Sequence, residues 1–213
     1  MVISRFAGRH WPVGSASNCH AEARWDPRTR CGTLRLVNRR PKGTLMRFRP
    51  ASLSDIPRLG QLALASKGHW GYSARQLEQW REDLTPRESW LDTGPFVVAE
   101  NDAGVIGFYT LAAAGNGAWA LENLWLDPKW IGQGFGRALF AHAVETAGQR
   151  GATVLTIDAE PHAEAFYLAQ GARRTKIIPA PIDGDPHRMR PQLELAMGQT
   201  PANAGNSRRS MLS

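Results

Sequence analysis

Cysteine is scarce in this 213-residue chain, and both copies, Cys19 and Cys31, fall within its first 45 residues. Residues 46–213 have none, so neither a disulfide nor a thiolate-bound metal can hold them together. His10, Cys19, His20 and Cys31 offer donors, but their spacing matches no close pair-plus-pair pattern, and no metal site is expected. No run of about 18 apolar residues occurs, which excludes a spanning helix. Nor is there the apolar core of a signal peptide, so the expected location is cytoplasmic. Acidic side chains are short only at the start. Residues 1–45 carry nine Arg and Lys against Glu22 and Asp26, and this excess equals the whole net charge of +7. The basic stretch has neither aromatic–basic alternation nor a folded motif, so nucleic acid is not an expected partner.

Residues 1–45 also lack any sustained period of 2 or 3.6 and read as a disordered basic head. Periodic structure begins at Met46, itself a candidate start codon. Residues 198–213 are small and polar and read as a disordered tail.

Between them the pattern alternates. Met46–Pro50 is a short strand. Ser52 with Asp55, and Ser73 with Gln76, are capping-box pairs that open two helices, with Lys67–Tyr72 as the loop between them. Thr85, Pro86 and Glu88 mark a third helix start. Pro95–Glu100, Val105–Ala114 and Ala118–Asp127 are β-like runs joined by the short turns Asn101–Gly104 and Gly115–Gly117, which makes them successive antiparallel strands. Leu139, Phe140, Ala143, Val144 and Ala147 form one helical apolar stripe stopped at Gly151. Thr153–Ala159 is a strand, Ala163–Gln170 a short helix, and Lys176–Ile178 with Gln192–Met197 a final strand pair. The order is that of an α/β fold with a mixed sheet flanked by helices.

Ile131-Gly-Gln-Gly-Phe-Gly-Arg-Ala-Leu139 follows a strand and opens a helix. Glycines there let backbone N–H groups approach an anion, and the helix N-terminus adds a positive dipole end. A pyrophosphate cradle fits, and so does a tight structural turn. No Lys-Ser/Thr pair follows, so it is not a P-loop, and the three preceding antiparallel strands exclude a dinucleotide-binding unit.

Leu121-Glu-Asn-Leu-Trp-Leu-Asp-Pro128 with Gly132-Gln-Gly-Phe-Gly136 resembles the hallmark strand–turn–helix of the GNAT superfamily of acetyl-CoA-dependent acyltransferases. Asp158-Ala-Glu-Pro-His-Ala-Glu-Ala-Phe-Tyr-Leu-Ala-Gln-Gly171 resembles that family's next strand and helix. The resemblance spans an N-acetyltransferase domain over residues 46–197. Ile131 and His162 depart from the family's usual Gln or Arg, and Asn. The resemblance implies a mostly antiparallel sheet splayed between its fourth and fifth strands. It implies acetyl-CoA as co-substrate, no metal, and direct attack by a primary amine of a small molecule or peptide in a ternary complex. Exposed final strands in such proteins often pair between subunits, so a homodimer is an option.

By the same resemblance, the amides of Ile131, Gly132, Gln133, Gly134, Phe135, Gly136 and Arg137 hold the pyrophosphate. The backbone at Leu124, Trp125 and Leu126 pairs with pantetheine and the acetyl oxygen, and His162 lies beside the pantetheine arm. An alkyl amine is mostly protonated at neutral pH, so a base is useful. Glu122, in apolar company on the fourth strand, is the candidate, with Asp158 and His162 behind it. Tyr167 resembles the general acid that protonates the leaving thiolate; the plain alternative is packing beside Phe166. His69, Trp70 and Tyr72 fall where the family binds its acceptor. A non-catalytic acetyl-CoA-binding module is the rival reading, and Glu122 together with Tyr167 favours an enzyme.

Overall fold

The computed structural model describes residues 45–198. The expectations for the basic head, the cysteines and most of the tail lie outside these residues.

Strand β1 (Arg47–Pro50) leads into a single 3₁₀ turn and then α1 (Ile56–Gly68). The Ser52 capping box forms as the sequence predicts, with its N–H donating to Asp55 Oδ2 at 2.8 Å. Arg49 also grips Asp55 with two nitrogens, at 2.7 and 2.8 Å, and holds that carboxyl well below its ordinary range. Helix α2 (Ala74–Leu84) starts on the Ser73–Gln76 box, with Gln76 N–H donating to Ser73 Oγ at 3.3 Å. Two expectations change here. Helix α1 runs through Lys67 and Gly68, so the predicted loop begins later. The third start yields only α3 (Trp90–Thr93), with Pro86 ahead of it and not at its first position.

Strands β2 (Phe96–Asn101), β3 (Gly104–Gly115) and β4 (Ala118–Leu126) follow as an antiparallel meander. Then come α4 (Phe135–Gln149), β5 (Val154–Asp158), α5 (Glu164–Ala169), β6 (Arg173–Pro179) and β7 (Met189–Ala196). The seven strands form one sheet in the order β1-β2-β3-β4-β5-β7-β6. Only β4 and β5 pair in parallel; α4 makes the crossover that such a pair requires. This is the mixed, mostly antiparallel α/β fold expected.

Two cores lie on opposite faces of the sheet. Leu121, Leu124, Leu139, Phe140, Leu155 and Tyr167 pack on the α4 face. Leu59, Leu62, Trp80, Phe108 and Trp125 pack under α1 and α2. Among the described residues no helix is long and apolar enough to cross a membrane.

Candidate active site

The parallel pairing of β4 with β5 ends at Leu121↔Ile157, yet β4 continues to Leu126. Beyond that point β5, paired with β7 on its other edge throughout, ends at Asp158↔Gln192, and among the described residues β4 keeps β3 alone beside it, through pairs such as Leu124↔Tyr109 and Leu126↔Gly107. Leu124, Trp125 and Leu126 are all buried. A strand buried with one side unpaired offers backbone donors and acceptors to a ligand, because such groups are costly to leave unbonded. The splay between the fourth and fifth strands is therefore present.

At its end the chain turns through Gly132 (φ 79°) and Gly134 (φ 89°), both left-handed, before α4 begins. A Cβ on Gly132 would meet nothing within 4 Å, so the turn is open on that side. The first α4 amides, at Phe135, Gly136 and Arg137, have no acceptor within the helix, whose first bond runs from Ala138 N–H to Gly134 O. Ile131 differs: its N–H already donates to Pro128 O at 3.2 Å. Gln133 spends its side chain on Lys129 O at 2.6 Å. The Phe135 ring is in the core against Trp130, so only its backbone faces the turn.

Tyr167, in α5, is wholly buried, with its ring edge-on to Phe140 and Phe166 at 5.3 and 5.0 Å. Among the described residues its hydroxyl has no hydrogen-bond partner, and burial raises the phenol well above its ordinary range. It therefore holds its proton.

Glu122 sits at a β-bulge. Thr110 pairs with Asn123 and Leu111 with Leu121, which leaves Glu122 as the extra residue on β4. The bulge resets the alternation. Leu121 and Leu124 point to the α4 core, while Asn123 and Trp125 point to the α1–α2 side, where Trp125 Nε1 donates to Asn123 Oδ1 at 3.0 Å. Glu122 lines a concavity of about 320 Å³ together with Thr156, Asp158 and Gln192. Asp158 in turn is ion-paired with Arg190 and accepts from Gln192 Nε2 at 2.5 Å.

A second, larger groove of about 810 Å³ opens between the α1–α2 turn, the β5–α5 connection and the β6–β7 connection. Trp70 and Tyr72 line it. His162 joins them, its ring parallel to Trp70 at 5.2 Å and edge-on to Tyr72 at 6.4 Å. His162 thus lies with Trp70 and Tyr72 in this groove. His69 is exposed and outside the groove lining, with its ring edge-on to Trp70 at 5.1 Å. Glu122 lines the first concavity and not this groove.

The sequence reading missed the cluster between the two. Glu160, just past β5, accepts from Lys67 Nζ, from Tyr72 Oη and, at 2.9 Å, from Arg188 Nη2. Burial alone would raise the Glu160 carboxyl, but Lys67, Tyr72 and Arg188 outweigh it and bring it down to about 2. Burial also lowers the Lys67 ammonium, which Glu160 opposes, and the Tyr72 and Trp80 rings flank it at 4.7 and 4.9 Å. A signal was there to read. Leu59, Leu62, Ala63, Ser66 and Lys67 are one buried helical stripe, and a lysine on such a stripe requires an anion.

Residues 65–172, about half of the 213-residue chain, match the acetyltransferase (GNAT) family. The chain belongs to this family. Solved structures share the fold. PaiA N-acetyltransferase from Thermoplasma acidophilum, in complex with coenzyme A, superposes with a TM-score of 0.58 at 20% identity, over 71% of this chain and 99% of that one. A GCN5-related N-acetyltransferase from Rhodopseudomonas palustris gives 0.58 at 22%, over 70% and 94%. The ribosomal-protein-S18-alanine N-acetyltransferase of Escherichia coli gives 0.56 at 16%, over 75% and 98%. At these identities the likeness to each is one of fold.

Proposed function

We propose that this GNAT protein is an N-acetyltransferase that moves the acetyl group of acetyl-CoA to a primary amine of a small molecule or peptide, with both substrates bound together. One observation carries the reading. The half-paired stretch of β4, the left-handed glycine turn and the unpartnered Tyr167 hydroxyl belong to one continuous strand–turn–helix region with α5 packed on it. Coenzyme A bound to the Thermoplasma PaiA protein supports this choice of donor.

In this reading the amides of Gly132 to Arg137 hold the pyrophosphate, and the β4 backbone at Leu124–Leu126 holds the pantetheine arm and acetyl oxygen. The bound co-substrate supplies an acyl group activated as a thioester. The acceptor ammonium first gives up a proton, through water, to the Glu122 carboxylate. The amine nitrogen then bonds to the acyl carbon as the carbon–sulfur bond breaks, and the nitrogen releases its second proton to water, which leaves a neutral amide and offsets the proton that Tyr167 supplies. Tyr167 Oη, kept protonated by burial, gives its proton to the departing sulfur. The acceptor enters by the groove that Trp70, Tyr72 and His162 line, and aromatic walls suit its organic portion.

The test is an amine panel with acetyl-CoA, read by free thiol release and by mass of the acetylated amine. Acetylated product at a rate above background supports the reading. Tight acetyl-CoA binding without transfer to any amine would leave only a binding module.

A further inference from the structure

The acceptor groove has two walls that are far apart in the chain. One is the α1–α2 turn with Trp70 and Tyr72; the other is the β6–β7 connection with Ile182, Asp183 and His187. A single carboxylate bonds to both. Glu160 has 3% of its side chain exposed and takes a proton donor from Tyr72 on the first wall and Arg188 on the second. Lys67 braces it from the end of α1. Arg188 is itself held in place, with Nη1 donating to Ala180 O at 3.1 Å and its own carbonyl accepting from Ala180 N–H at 2.9 Å. His162, two residues beyond Glu160, is the third aromatic of the groove. One rigid point therefore sets the spacing of all three lining segments.

We propose that Glu160 is a positioning residue for the acceptor: it fixes the width of the groove by tying the α1–α2 turn to the β6–β7 connection, without touching the reacting atoms. The inference rests on the reading of this groove as the acceptor site. A buried charge cluster is a poor source of stability compared with apolar packing of the same volume, so its directional hydrogen bonds serve geometry better than stability. The outer tie is weaker. Gln76 Nε2 donates to Asp183 O at 2.5 Å and Arg75 pairs with Asp183 at 3.4 Å, but Arg75 and Asp183 are exposed and Gln76 is only half-buried.

The experiment compares the full chain with Glu160→Gln, and with Lys67→Met/Glu160→Gln, which removes the stranded ammonium and so protects the fold. Amide hydrogen exchange, read without acceptor, should quicken about tenfold or more over residues 69–73 and 180–188 in both variants. Residues 131–137 should be unchanged, and acetyl-CoA affinity should stay within about twofold. With 2-phenylethylamine as acceptor, a primary amine whose ring suits the aromatic wall, the amine KM should rise about tenfold while kcat changes little. Unchanged exchange in both variants, loosening spread equally through β4 and α4, or a fall in kcat with amine KM unmoved would each overturn the proposal. A wild-type protein that acetylates no amine would instead overturn the acetyltransferase reading and leave the exchange result standing.

Discussion

Lys67 and Glu160, 93 positions apart, meet as a buried ion pair with 6% and 3% of their side chains exposed. Removing one member of such a pair strands the other charge. We expect Lys67→Met to cost about 3 kcal/mol, at the low end for a broken buried pair because Tyr72 and Arg188 still serve Glu160. The double variant Lys67→Met/Glu160→Gln should cost less than the sum of its singles. Chemical denaturation of the four proteins measures both, and strict additivity would refute the coupling.

Gly134 caps α4 with φ at 89°. Gly134→Val puts a branched side chain where the backbone must approach phosphate, in a conformation L-residues resist. Acetyl-CoA binding by calorimetry should be lost while circular dichroism is retained. Gly104→Ala in the β2–β3 turn, also at positive φ with nothing near, is the control for strain alone; it should keep binding. Equal loss in both variants would point to general instability.

Glu122 and Tyr167 are assigned opposite proton transfers. Glu122→Gln should slow acetyl transfer by about 100-fold or more and weaken the rising, acidic limb of the pH–rate profile. An acceptor of low amine pKa should partly rescue it. Tyr167→Phe should lower kcat on a similar scale, keep the acidic limb and gain nothing from that acceptor. The hydroxyl it loses has no partner among the described residues, so stability should not fall. Loss of activity together with acetyl-CoA binding in both variants would mark them as structural.

His142 on α4 stacks on Phe48 at 3.9 Å and meets Tyr109 Oη through Nδ1 at 2.8 Å. Burial lowers its pKa below the ordinary 6.5, against the pull of Glu145. The unfolded chain therefore takes up the proton first as pH falls. Its contribution to stability is complete above about pH 6.5 and is lost progressively below that. His142→Gln should flatten this part of the stability–pH curve, measured by urea unfolding at a series of pH values. A curve of unchanged slope would mean that His142 protonation is not coupled to folding.

Much of the fold was readable because its cues are local. The capping boxes of Ser52 and Ser73, the stripe from Leu139 to Ala147 and the turns at Asn101–Gly104 and Gly115–Gly117 each act over a few residues. The glycine turn was legible for the same reason, since only glycine reaches the left-handed region cheaply. Pro86 misled because a helix start needs an apolar stripe behind it, and Trp90 and Leu91 are the only apolar side chains between Pro86 and Gly94.

The sequence by itself determined most of the strands, helices and turns, the left-handed glycine turn before α4 and, by resemblance, the family. Only the tertiary structure decided three things. It put β7 between β5 and β6, it made Glu122 the bulged residue of β4, and it gathered Lys67, Tyr72 and Arg188 around Glu160. Each depends on a partner at least ten residues away. Periodicity reports which face of an element is apolar, but not which distant strand or charge will meet it; that choice is made by packing and by the need to pair buried polar groups.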